Sequence, residues 1–145
     1  MTYIIIGIIL LVIIYIFVTY NNLVQANNIV KEAFSTMDIY LKKRWDLIPN
    51  LVEVVKGYAK HEQGTLSKIA ELRASIYDNM PVNQKLDVNE KLTHGISSIM
   101  AIAENYPELK ANENFSQLSK ELVKIEDEIA NSRKYYNGAV RILNN

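Results

Sequence analysis

Residues Lys42–Val55 read KKRWDLIPNLVEVV, and the reading of this stretch decides the fold. Three adjacent cations (Lys42, Lys43, Arg44), a carboxylate (Asp46), a proline (Pro49) and an amide (Asn50) interrupt what is otherwise an apolar helical face. On either side the face is regular. Leu23, Val30, Phe34, Met37 and Leu41 precede it, and Ile48, Leu51, Val55 and Tyr58 continue it, in steps of three, four or seven. Asn27 and Arg44 are the polar members of this seam. The spacing predicts one long helix over residues 22–61, about 60 Å if continuous at 1.5 Å per residue.

Upstream, the chain begins MTYIIIGIILLVIIYIFVTYNN, and no charged side chain occurs before Lys31. Tyr3 to Val18 is an unbroken apolar run edged by Thr2, Thr19 and Tyr20, enough to cross the hydrocarbon core of a bilayer with little tilt. Tyr3 and Tyr20 sit where interfacial aromatics belong. A cleaved secretory signal would need a basic start and a small-x-small cleavage site, and a lipoprotein signal would need a cysteine; the sequence has none of these. The expectation is therefore an uncleaved anchor over residues 1–21, touching lipid through residues 3–20, followed by a bundle domain over residues 22–145. Basic residues lie only after the span (Lys31, then Lys42 to Arg44), which points to a single-pass protein of the cell membrane with the bundle on the cytoplasmic side. No glycine, proline or turn cluster separates the span from the next helix, so the two can form one rod.

Downstream, Gly64 is a candidate C-cap and Thr65 a candidate N-cap. A second helix carries Leu66, Ile69, Leu72 and Ile76 and stops at Asp78–Pro81. The segment VNQKLDVNEK (residues 82–91) is polar and loosely patterned, and a third helix runs through Leu92, Ile96, Ile99, Met100 and Ala103 towards Pro107. A fourth starts near Glu113 with the cleanest seam: Phe115, Leu118, Leu122, Ile125, Ile129, Tyr136, Val140 and Leu143, with Ser132 its polar member. The predicted fold class is all-α: an N-terminal transmembrane helix followed by an antiparallel up-down bundle of four helices, the first and last long. The long pair outruns the short pair, leaving Val30 to Leu41 against Lys134 to Leu143 alone near the membrane. Two helices bury little, so Val30, Phe34, Met37, Tyr136, Val140 and Leu143 are the expected self-association residues of a homo-oligomer.

Composition limits the chemistry. The 145 residues carry 16 basic and 16 acidic side chains, a balance unlike that of a nucleic-acid binder. With no cysteine, thiol catalysis, disulfides and thiolate metal sites are excluded. His61 and His94 are the two histidines; neither follows a glutamate by three residues, so the di-iron bundle pattern is missing and no metal or other cofactor is expected. No Gly-x-Ser-x-Gly elbow or glycine-rich phosphate loop occurs, and no catalytic residue is assigned. The motif RKYYN (Arg133 to Asn137) reads either as an exposed recognition element or, more simply, as Tyr136 in the seam with Tyr135 beside it.

Pairing the first and last helices antiparallel, with Tyr58 near Phe115 and Phe34 near Val140, brings Arg44, Asp46 and Asn50 level with Glu126 to Arg133. Arg44 then meets Glu126 or Asp127, and Asp46 meets Arg133. This cluster (Arg44, Asp46, Asn50, Glu126, Arg133) is either a polar layer that fixes register or a pocket for a small ligand; bundles commonly use buried charge for the first. Pro49 either bends the helix or opens a fresh segment capped by Asp46, with a gating hinge as a further option.

The blocks LVQANNIVKEAFSTMDIYLKKRWDLIPNLVEVVKGYAKHE, IAENYPELKANENFSQLSKEL and IEDEIANSRKYYNGAVRILNN resemble the three signature blocks of the bacterial LemA family. The likeness covers nearly all of the soluble part, and the group Arg44, Asp46, Leu47, Ile48, Pro49 and Asn50 carries most of its specificity. It implies a single N-terminal anchor, an antiparallel helical bundle and no catalytic activity. Members of that family usually continue past the last block into a tail with a proline and aromatic residues, whereas this chain stops at Asn145. The functional expectation is a non-catalytic membrane protein whose bundle self-associates or docks partners at the membrane surface. The alternative is a ligand-binding or enzyme-accessory module using the polar cluster.

Overall fold

A computed structural model describes residues 1–72 and 77–145. Five α-helices are assigned among them: α1 (Thr2–Tyr58), α2 (Gln63–Leu72), α3 (Val82–Asn105), α4 (Pro107–Lys110) and α5 (Glu113–Asn144). Short 3-10 turns occupy Lys60–Glu62 and Tyr77–Asn79, and no strand occurs among the described residues. The chain divides into two compact units, one formed by residues 1–37 with 130–145 and the other by residues 38–129.

The larger unit has a core that follows the helical period. Leu41, Trp45, Ile48, Leu51, Val52, Val55 and Ala59 line the inner face of α1 and its end, with Leu66 and Ile69 from α2. Val88, Leu92, Ile96, Ile99 and Ala103 come from α3, Leu109 from α4, and Phe115, Leu122, Ile125 and Ile129 from α5. Each of the fully buried aliphatic side chains contributes about 1.5–3 kcal/mol of transfer free energy. In the smaller unit Ala33, Met37 and Ala139 are buried, and Phe34 meets Tyr136 edge-on at 5.8 Å between ring centroids. The apolar run at its start lies open, with every side chain from Tyr3 to Val18 exposed. Among the described residues α1 alone is long and apolar enough to cross a membrane.

The helix count differs from the sequence expectation, and the ends explain why. The first helix stops at Tyr58 because Ala59 leaves the helical region (φ −109°, ψ 59°), with its N–H still bonded to the Val55 carbonyl at 2.8 Å. Gly64 and Thr65, expected as caps, lie inside α2, and no glycine takes positive φ. Pro81 is extended (φ −65°, ψ 157°) and starts α3, its carbonyl accepting from Lys85 N at 3.0 Å. The loosely patterned residues 82–91 are therefore helical, and α3 has 24 residues instead of being short. Pro107 opens the single-turn helix α4, where a missing N–H costs nothing, and this fifth helix buries Leu109 completely. Asn112 caps α5: its Oδ1 accepts from Phe115 N at 3.0 Å. Ile76, expected in the second helix, lies outside the described residues.

Pro49 does not break α1, which is helical on both sides of it. A fresh segment capped by Asp46 is thus not formed. The residue 21/22 boundary between anchor and bundle also falls inside α1, with no interruption there.

Helices α2 and α3 approach closely at Gly95. A β-carbon there would lie 2.9 Å from Ile69 Cγ1 and 3.3 Å from its Cδ1. Alanine gains about 1 kcal/mol over glycine in a helix, while overpacking costs about 1–3 kcal/mol. Gly95→Ala should therefore lower stability in chemical denaturation followed by circular dichroism. In an Ile69→Ala background the same change should become neutral or stabilising; a simple sum of the two single effects would refute the close contact.

Candidate functional site

Arg44 occupies a seam position on α1 that would ordinarily be apolar, so its side chain points into the larger unit, where it is 1% exposed. A guanidinium has five N–H donors and no acceptor. All five are used. Nε donates to Asn89 Oδ1 at 3.3 Å, and Nη2 donates to the same oxygen at 2.9 Å and to the Asn89 carbonyl at 2.6 Å. Nη1 donates to Thr93 Oγ1 at 2.8 Å and to Glu126 Oε1, which closes an ion pair. Asn89 is itself fully buried on α3, and its Nδ2 donates to the Lys85 carbonyl at 2.9 Å. Thr93 Oγ1 donates back to the Asn89 carbonyl at 3.2 Å. No buried side-chain nitrogen or oxygen among the described residues lacks a partner.

A second polar set lies on the same unit. The Tyr77 hydroxyl donates to Asp38 Oδ1 and Lys85 Nζ donates to Asp38 Oδ2, each at 2.7 Å. Lys85 Nζ sits 4.7 Å from the centre of the Tyr77 ring, and Trp45 packs on that ring at 5.4 Å. Burial raises the Tyr77 pKa far above its ordinary value, helped by the hydrogen bond to Asp38 and by that carboxylate's charge. The Lys42 ammonium is raised chiefly by its hydrogen bond to Asp78.

The expected cluster is thus redistributed. Arg44 does meet Glu126, whereas Asp46, Asn50 and Arg133 are exposed and take no part in the hydrogen bonds around Arg44. Asn50 instead lines an open cleft of about 490 Å³ with Glu53, Val54, Asn114, Gln117, Leu118 and Glu121. Pro49 borders another of about 340 Å³ with Ile48, Val52, Glu53, Lys56 and Ala70. The pairing of α1 with α5 is shifted by about one turn from the expected register. The Tyr58 hydroxyl accepts from Asn112 Nδ2, and Phe34 packs on Tyr136 where Val140 was expected. Of the expected self-association residues, Met37 is completely buried. Val30, Phe34, Tyr136, Val140 and Leu143 are half-buried. Among the described residues no group of three or more His, Asp or Glu lies together as a metal site would require.

The LemA family profile matches residues 33–145, which include all of Arg44, Asn89, Thr93 and Glu126. The chain belongs to the LemA family. Protein LemA of Metamycoplasma hominis is 31% identical over 121 residues, covering 81% of this chain. The chain spans about half the length of that relative, 54%. Within this LemA-family chain, the sequence pattern does not single out Asn89, Thr93, Asp38 or Lys85. A signal was present: the α3 period of Leu92, Ile96 and Ile99 extends back to Val88, which turns Asn89 inward beside it.

Removing a buried donor costs about 1–3 kcal/mol for each acceptor it leaves unsatisfied, because that group keeps its desolvation penalty. Arg44→Met should lose on that order, and adding Asn89→Leu should recover part of it; additive losses would show that the two side chains are not coupled. Glu126→Gln keeps an acceptor but leaves the 1%-exposed Arg44 guanidinium without a countercharge, so it should also destabilise. The Tyr77 pKa is raised on folding, so its contribution is complete below pH 10 and is lost as pH rises above that value. A denaturation series from about pH 8 to 11 should therefore show a steeper fall for the unaltered chain than for Tyr77→Phe. Equal slopes would remove Tyr77 as the cause.

Proposed function

We propose that this chain is a non-catalytic, single-pass membrane protein whose helical bundle self-associates or docks protein partners at the cytoplasmic membrane surface. The observation that carries this reading is α1, which runs without interruption from a fully exposed apolar segment into a packed polar-surfaced unit. An exposed run of this length has no stable place in water, and it matches the thickness of a hydrocarbon core. The Arg44 set supports a structural role for the charge, since a guanidinium with every donor engaged and 1% exposure has nothing left to offer a ligand. Self-association draws its support from the smaller unit. There two helices leave Val30, Phe34, Tyr136, Val140 and Leu143 only half covered, and Leu23 and Tyr135 exposed.

Mass photometry of the detergent-solubilised chain should show an oligomer that Phe34→Glu or Val140→Glu dissociates, with helicity retained in circular dichroism. A monomer before any substitution would end the self-association reading. For orientation, the chain's lack of cysteine allows a single Val123→Cys, at a position 61% exposed, to be probed with a membrane-impermeant maleimide. Labelling should require permeabilised cells; labelling of intact cells would place the bundle outside.

A further inference from the structure

The smaller unit is charged differently from the rest. Residues 1–37 and 130–145 carry four basic side chains (Lys31, Arg133, Lys134, Arg141) and one acidic one (Glu32). Residues 38–129 carry twelve basic and fifteen acidic. The balanced total therefore conceals a basic end and an acidic end. All four basic residues of the smaller unit are exposed.

Position along α1 gives that basic end a partner. The helix has no charged side chain from Thr2 to Val30. At 1.5 Å per residue this uncharged length is about 43 Å, which matches the roughly 40–45 Å of a bilayer with its headgroup layers. The exposed Leu23 and Val24 continue the apolar surface beyond Tyr20, and Asn27 and Asn28 follow as an amide collar. The contacts Arg44–Glu126 and Tyr58–Asn112 run α5 antiparallel to α1 in the larger unit, and in this unit Tyr136 lies against Phe34. Ile142 is six residues further along, about 9 Å, and so stands level with Asn28. That height is about 12 Å beyond Tyr20, at the outer edge of the headgroup layer. At it, Ile142 is 65% exposed and Arg141 is exposed beside it. A guanidinium pairs bidentately with phosphate.

We propose that the last turn of α5 lies against the headgroup surface of an anionic bilayer, with Arg141 on lipid phosphate. The chain then touches the membrane at two places: through the span itself and, far away in sequence, through the end of α5. This inference rests on the membrane anchorage proposed above, and the experiment separates the two.

Because the chain has no cysteine, Ile142→Cys, Val123→Cys and Leu10→Cys each give one labelled position. The full-length variants, carrying a bimane label, are reconstituted in phosphatidylcholine vesicles with and without phosphatidylglycerol. The quenchers are aqueous iodide and a headgroup-attached nitroxide lipid. At Ile142→Cys the label should be quenched by the nitroxide lipid and shielded several-fold from iodide relative to Val123→Cys. The shielding should be greater with phosphatidylglycerol, and Arg141→Gln should abolish that lipid dependence. Iodide access equal to that at Val123→Cys overturns the inference. Shielding from iodide without quenching by the nitroxide lipid also overturns it, and assigns the cover to protein. If the Leu10→Cys label is open to iodide as well, anchorage itself fails; a protected Leu10→Cys with an open Ile142→Cys refutes the headgroup contact alone.

Discussion

A guanidinium taken out of water must find an acceptor for every one of its donors, and Arg44 is where this structure meets that demand. The acceptors come from α3 (Asn89, Thr93) and α5 (Glu126), so one side chain ties three helices together. Apolar contacts tolerate sliding, because one leucine is much like the next along a seam. Five directed hydrogen bonds do not. A slip of one turn, about 5.4 Å, would carry Asn89 and Glu126 beyond reach and leave a buried charge unpaired. The register of α1 against α3 and α5 within the larger unit follows from this requirement.

Asp38, Tyr77 and Lys85 apply the same logic nearer the surface. Asp38 receives one hydrogen bond from each of the other two, and these come from separate segments, a 3-10 turn and the first turn of α3. Trp45 closes the apolar side of Tyr77. Lys85 links the two polar sets through the backbone: its ammonium serves Asp38 while its carbonyl accepts from the Asn89 amide that positions Arg44. The segment entering α3 is thereby held to α1 at two points. Within this arrangement the donors and acceptors satisfy one another.

The smaller unit obeys a different constraint. Beyond the buried Ala33, Met37 and Ala139, much of its apolar surface is exposed, and its basic residues are unopposed by a matching number of acids. Where the larger unit satisfies itself, this one leaves both apolar area and positive charge on its surface, the combination that a lipid surface or another protein can cover.

The sequence by itself determined the helical class, the exposed apolar run and the inward aim of Arg44. Hydrophobic periodicity and an uncharged stretch are local properties, legible wherever they occur. It also brought Arg44 level with Glu126 and Asp127, since antiparallel pairing of two long seams places them at similar height, and the structure selects Glu126. What it did not determine was where the helices begin and end around Pro81 and Pro107. There a proline in the first turn starts a helix as readily as it stops one, and neighbouring packing selects between the two. The identity of the other acceptors was equally hidden. Asn89 and Thr93 are ordinary polar residues on a weakly patterned segment, and only the packing of α3 against α1 converts them into the partners of a charge. Asp46 and Asn50 failed to join it for the complementary reason: nearness in sequence does not bring in side chains that the helical phase turns outward.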